Sequence, residues 1–166
     1  MKHFPGNYRL FGGILLLVIL TTLLLQPVFG QWPFGVPVTP QSQRNALGAV
    51  RSQVGWVQNA TQVAPNYGAQ GYGNVWQSFE GLREAYRVFK SSLNPQQLSY
   101  GANQLAELDA GLDIIAEAFT NYQEDVSAGR PAGPALRNMC RVMRQSCGLW
   151  LQELNKTCSQ LRVGWG

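Results

Sequence analysis

Three cysteines and a row of carboxylates are the residues of this sequence best suited to chemistry. Cys140, Cys147 and Cys158 lie in one stretch near the C-terminus whose apolar spacing is helical. On an unbroken helix, Cys140 and Cys147 are about 10 Å apart along the axis, because each residue adds a rise of about 1.5 Å. A disulfide needs Cα atoms within about 7 Å of each other. The sequence therefore predicts free or buried thiols, and the same distances exclude a three-thiolate metal site.

Two other thiol states stay open, because disulfides are the usual state of cysteine outside the cytoplasm. Cys140 and Cys147 share the apolar stripe of the helix and are expected in the core. Cys158 lies at the edge of that stripe, so it is the residue we expect to form any disulfide to another chain. An intramolecular bridge would require the helix to break at Gly148.

Asp109, Asp113 and Glu117 are spaced four residues apart, which places them on one face of a helix. Such a row could bind a metal ion or supply an acid and a base. Only Asp109 flanks the apolar stripe of that helix, so we interpret the row as a solvated face. The Glu-x-x-His pair of di-metal bundles is absent. An enzyme that uses these carboxylates is the third of our three hypotheses.

The only histidine is His3, which lies in a predicted signal segment, so the processed chain would contain none. Catalysis by Ser-His-Asp or Cys-His pairs requires a histidine, as do most haem and zinc sites. We therefore expect a non-enzymatic protein without a cofactor or a resident metal.

The N-terminus has the pattern of an export signal. Lys2 and Arg9 precede an apolar run from residue 10 to residue 25, and Val28 and Gly30 are the small residues that signal peptidase needs. The sequence predicts a signal peptide over 1–30 and a secreted or periplasmic protein. The alternative is a membrane anchor formed by 10–29, which is about long enough to cross a bilayer.

The charge balance gives little support to nucleic-acid binding. The chain has 13 basic and 9 acidic residues in 166, and the basic residues form no run. We expect a protein or envelope partner and no nucleic acid; a membrane partner requires an uncleaved signal.

Apolar periodicity predicts four helices after a proline-rich lead-in at 31–39. We expect them at 40–64, 74–93, 95–127 and 134–163, separated by segments rich in glycine and proline. A flexible loop is expected at 66–73. Four amphipathic helices with short connections predict an all-α, antiparallel, up-down-up-down four-helix bundle over 40–164. The third helix is acidic and the fourth is basic, and we expect these opposite charges to fix their register.

Our first hypothesis is an exported, non-enzymatic interaction module that binds a protein or an envelope component. Its partner patch would consist of aromatic side chains near the loops: Trp56, Tyr67, Tyr72 and Trp76, with Trp32 and Phe34 of the lead-in. The alternative is a carrier of an apolar small ligand, held inside the bundle between Phe79, Tyr86, Phe89, Phe119, Met143 and Trp150. Either protein is compatible with an oligomer.

Overall fold

The structure, a computed structural model, describes residues 38–164, and all the regular secondary structure in this range is helical. Four of the five helices are long. They are α1 (Pro40–Val63), α2 (Gly68–Ser91), the short α3 (Pro95–Tyr100), α4 (Ala102–Ser127) and α5 (Ala132–Gln160), with a 3₁₀ turn at Ala64–Asn66. The predicted signal peptide, the alternative anchor at 10–29, Trp32 and Phe34 all lie outside the described residues. Among residues 38–164, no helix is both long and apolar enough to cross a membrane.

Two helix starts follow directly from capping residues in the sequence. The Thr39 hydroxyl accepts a hydrogen bond from the Ser42 amide, and the Ser42 hydroxyl accepts one from the Thr39 amide, each at 3.0 Å. Asn94 and Gln97 form the same reciprocal pair at the start of α3. A proline follows each cap, at the first helical position. These contacts confirm the predicted starts at residues 40 and 95.

The start of α2 differs from the prediction. The helix begins at Gly68, so the segment predicted as a loop is helical and Asn74 lies inside the helix. Gly71 contacts the backbone of the preceding turn so closely that a Cβ atom there would be 2.2 Å from the Ala64 carbonyl oxygen. The glycine therefore permits a close approach between the start of α2 and the end of α1. Tyr72 then packs on Phe119 and Tyr122 of α4, which stabilises this first turn.

The predicted third helix is divided at Gly101 into α3 and α4. A Cβ atom at Gly101 would come within 2.7 Å of the Leu161 side chain, so the chain beyond α5 packs against this break. Leu98, which precedes the break, is 39% exposed.

The four predicted apolar stripes form the hydrophobic core. The buried members are Leu47, Val50, Val54 and Val57 of α1; Val75, Phe79, Leu82, Tyr86 and Phe89 of α2; Leu105, Leu108, Leu112, Ile115 and Phe119 of α4; and Leu136, Cys140, Met143, Cys147, Trp150 and Leu154 of α5. Burial of each large side chain stabilises the fold by about 1.5–3 kcal/mol relative to exposure. The stripe prediction is confirmed along the middle of all four helices.

A buried glutamine connects chain segments that are far apart in sequence. Gln43 donates to the Ser92 carbonyl at 3.1 Å and to Gln97 Oε1 at 2.6 Å, and it accepts from the Gly164 amide at 3.0 Å. Gln97 also donates to the Leu161 carbonyl. The start of α1, the end of α2, α3 and the segment after α5 are therefore held together at one place.

Candidate functional site

The surface between α4 and α5 contains a groove of about 430 Å³ with a mainly apolar lining. We call it the α4–α5 groove. Its lining consists of Glu107, Leu108, Gly111 and Ile114 from α4 and of Ser146, Leu149, Trp150, Gln152 and Glu153 from α5.

The floor of the α4–α5 groove is held in place by Trp150. Its indole N–H donates a 2.8 Å hydrogen bond to the Leu108 carbonyl, and its ring packs edge-on against Tyr86 with centroids 5.3 Å apart. The ring also lies against Gly111, where a Cβ atom would be 2.8 Å from Trp150 Cδ1. Because residue 111 has no side chain, the indole can cover the backbone of α4. The floor is therefore fixed by three contacts, two with α4 and one with Tyr86 of α2.

The two sides of the α4–α5 groove carry exposed aliphatic side chains. Ile114 is 59% exposed and Leu149 is 61% exposed. The exposed part of each side chain contributes no burial energy to the fold, since it stays in contact with water. A single exposed aliphatic side chain is common, but two such side chains that flank an apolar groove are typical of an interaction surface.

The exposed charges of α4 and α5 do not form ion pairs with each other. Helix α4 exposes Glu107, Asp113 and Glu117, and α5 exposes Arg137, Arg141 and Arg144. Within residues 38–164, no ion pair joins α4 to α5. The expectation that opposite charges fix the register of these two helices stays a prediction, and the direct contacts that relate them are those of Trp150 with Leu108 and Gly111.

A second groove, of about 420 Å³, lies between α2 and α4 and is highly charged. It is lined by Glu80, Arg83, Glu84, Tyr86, Arg87 and Lys90 from α2 and by Asp109, Leu112 and Asp113 from α4. Lys90 bridges to Asp109 at 2.7 Å, and Arg87 bridges to Glu84 at 2.7 Å and lowers the pKa of that carboxyl. Most of the charge is therefore neutralised within the groove.

Tyr86 forms part of the floor of this charged groove. Its hydroxyl donates a 3.3 Å hydrogen bond to the Leu105 carbonyl. Burial, with a smaller contribution from the Asp109 charge, raises the pKa of Tyr86 well above its usual value. The phenol therefore stays protonated near neutral pH and acts as a structural donor.

The six residues of the proposed ligand site lie together in the core. Phe79, Tyr86, Phe89, Phe119, Met143 and Trp150 are all buried. Phe79 packs on Phe119 with ring centroids 5.6 Å apart, and Tyr86 packs on Phe89 and Trp150. The aromatic rings pack against one another in these pairs, and Met143 is fully buried in the same core. Tyr86 and Trp150 also reach the floors of the two surface grooves.

The four residues of the proposed aromatic patch have different surroundings. Tyr72 stacks on Tyr122 at 4.9 Å, and Trp76 packs edge-on against Phe119 at 4.8 Å, so both lie against α4. Trp56 and Tyr67 are each more than half exposed. The structure thus pairs Tyr72 with Trp76 around Phe119.

The three cysteines are free and buried. Burial raises the pKa of Cys147 to about 12 and that of Cys158 to about 11, and it also raises the pKa of Cys140. Cys158, the residue expected to form any disulfide to another chain, could reach a partner only if the end of α5 opened.

The carboxylate row of the third predicted helix does not form a compact cluster. Asp109 pairs with Lys90, while Asp113 and Glu117 are exposed. Across residues 38–164, no group of three or more His, Cys, Asp or Glu side chains is arranged to bind a metal ion.

Sequence reasoning missed Ile114, Leu149 and Gly111. Ile114 and Leu149 are apolar residues next to the buried Ile115 and Trp150, just outside the apolar stripes. That position was the one sign in the sequence of an apolar surface.

No protein-family model, curated protein or solved structure matches the chain.

Proposed function

We propose that this chain is a non-enzymatic interaction module that binds a protein partner through the α4–α5 groove. The observation that carries the proposal is the pair of exposed aliphatic side chains, Ile114 and Leu149, on either side of an apolar groove. An apolar centre with a polar rim is typical of a protein interface. Here Glu107, Gln152 and Glu153 supply polar groups at the edge.

We also propose that the four long helices form an antiparallel, up-down-up-down bundle. Contacts between early residues of one helix and late residues of the next support it. Gln43 bonds Ser92 while Ala64 lies against Gly71, which relates α1 to α2 in opposite directions. The pairs Tyr72–Gln123 and Lys90–Asp109 do the same for α2 and α4.

For α4 and α5, two sets of neighbouring residues support opposite directions. Gly111 faces Trp150, and a small cavity farther along α4 is lined by Asp125 together with Ala135. Hydrogen bonds from Arg51 to Asn155 and from Arg44 to Gly164 support opposite directions for α1 and α5 as well. This is consistent with a closed bundle.

Export remains part of the proposal on sequence grounds alone. The basic start, the apolar run and the small residues at 28 and 30 favour a cleaved signal over 1–30 and a secreted or periplasmic protein. An intact mass that begins at Gln31 would support cleavage, whereas a full-length mass would favour the anchor at 10–29.

The apolar-ligand carrier is the weaker of the two binding proposals. Its six residues are buried in the core, and a ligand among them would have to displace packed rings. Volume sufficient for a ligand is found instead in the two surface grooves.

A site-specific photo-crosslinker tests the proposed interface in the cells that produce the protein. Residue 149 is replaced by a photoreactive amino acid, and the matched control is residue 88 on α2, where Val88 is 45% exposed. We expect a crosslinked protein adduct from residue 149 and none from residue 88. A third variant carries the crosslinker at residue 56, and an adduct from that variant alone would favour the aromatic patch. Equal yields from 149 and 88 would contradict a specific groove.

A further inference from the structure

We infer that the partner in the α4–α5 groove is a second copy of this chain, in a twofold dimer with α4 of each protomer on α5 of the other. This inference rests on the proposed function of the same groove. Three features of the face support it: its shape, its charges and its size.

The shape of the face is self-complementary. Each copy offers a groove and two aliphatic side chains that flank it, and a twofold dimer uses the same patch on both protomers. Gly111 faces Trp150, so Ile114, three residues after 111, is level with residue 147 of α5. Leu149 is about half a turn from that level. With the twofold axis parallel to the helices, Ile114 of one protomer meets Leu149 of its partner, and each covers the other's groove.

One pair of charges at the edge of the face favours this orientation, whereas the two charges that line the groove, Glu107 and Glu153, are both acidic, and Glu153 is paired with Lys156. Glu117 lies six residues after Gly111 and is therefore level with Arg144, with Arg141 one turn away. Glu117 and Arg141 are both exposed, and neither forms an ion pair within residues 38–164. Placing α4 on the partner's α5 brings Glu117 near the partner's Arg141. A twofold axis perpendicular to the helices would place α4 on α4 and oppose their carboxylates, which is unfavourable.

The whole outer face of α4 and α5 is about as large as one side of a standard dimer interface. Helix α4 contains 26 residues, which corresponds to a length of about 39 Å. Two adjacent helices, each about 10 Å wide, present roughly 800 Å². This is close to the area of about 800 Å² that each partner buries in an interface of standard size.

Sedimentation velocity of the chain purified from the producing cells, over about 1–100 µM, tests the inference. We expect the mass of two copies at the higher concentrations. Leu149→Glu and Ile114→Glu should each weaken association by about 100-fold, because a carboxylate would be buried in an apolar contact. Val88→Glu is the matched control and should leave the dimer unchanged.

A charge-reversal pair tests the orientation. Glu117→Arg or Arg141→Glu alone should weaken the dimer by about 10-fold, and the two changes together should restore much of the loss. Residues 114, 117, 141 and 149 are all exposed, and retained helical circular dichroism verifies the fold of each variant. If Leu149→Glu lost its helicity, Leu149→Gln would replace it.

The outcomes separate this inference from the proposed function. A one-copy mass at every concentration, or a dimer insensitive to residues 114 and 149, would overturn the second copy. If the photo-adduct from residue 149 then had the mass of a different protein, the proposed interface would stand with another partner. An adduct within the same chain, to residues 1–37, would identify that segment as the occupant and contradict both proposals, as would the absence of any adduct.

Discussion

Burial sets the acid–base chemistry of the three cysteine thiols. No charged group affects the pKa of Cys147, and burial alone raises this pKa from 9.0 to about 12. Arg51 partly opposes the effect of burial on Cys158, whose pKa is about 11. All three thiols therefore stay protonated near neutral pH and are poor nucleophiles in the folded chain.

This burial predicts a loss of stability at alkaline pH. Below pH 9 the thiols are protonated in both the folded and the unfolded chain, so their burial carries no ionisation cost. Above pH 9 the unfolded chain loses these protons first, and stability falls until the pH reaches the folded pKa of about 12. Cys147 alone should account for a loss of about 1.4 kcal/mol between pH 8 and pH 10.

Urea unfolding of the wild-type chain and of Cys147→Ala, at pH 8 and pH 10, measures this contribution. The variant should be less stable at both pH values because of the cavity it leaves, but its loss between them should be smaller by about 1.4 kcal/mol. The other titrating groups are common to both chains and cancel in the comparison. Equal losses in the two chains would show that Cys147 is not protected in this way.

At the scale of the helices, glycines decide where elements meet. Gly48 in α1 has no atom within 4 Å of the position that a Cβ would occupy, whereas Gly111 in α4 lies against the indole of Trp150. The two residues have the same helical backbone and differ in their neighbours. Substitutions at these two positions therefore separate the effect of helix propensity on stability from the effect of packing.

We expect Gly48→Ala to stabilise the fold by about 1 kcal/mol, because alanine has the higher helix propensity. Gly111→Ala should instead destabilise it by about 1–2 kcal/mol, since Trp150 is fixed by its hydrogen bond to Leu108 and cannot move away easily. Thermal and urea unfolding measure both changes. Stabilisation by Gly111→Ala equal to that by Gly48→Ala would contradict the close contact.

The helical stripes could be predicted from sequence because they depend on local spacing. The capped starts at Thr39 and Asn94 could be predicted for the same reason. The early start of α2 and the break at Gly101 could not, since both depend on distant chain segments: Gly71 meets the end of α1, and Gly101 meets Leu161. A glycine in the sequence indicates a backbone that is free to bend or to be approached closely. Only its neighbours in the fold show whether the position forms a loop or a tertiary contact.

At the scale of the whole molecule, the core aromatics could be assigned from their spacing but the surface groove could not. Ile114 and Leu149 fall outside the stripes, and an isolated aliphatic residue on a helix surface is ordinary. Their significance arises from the register that places them on either side of Gly111 and Trp150. That register includes a hydrogen bond from the Trp150 indole to the Leu108 carbonyl, which no periodicity predicts.

Hydroxyl-radical footprinting in the producing cells tests most directly whether the α4–α5 groove is occupied. The reference is the dilute purified chain, in which Ile114 and Leu149 are exposed. The internal control is Tyr100 of α3, which is 75% exposed and lies outside the groove. We predict that residues 114 and 149 are oxidised several-fold less in the cells than in the dilute chain, while Tyr100 is oxidised equally in both. Equal oxidation of residues 114 and 149 in the two samples would contradict the account, because the groove would then be open where the protein acts.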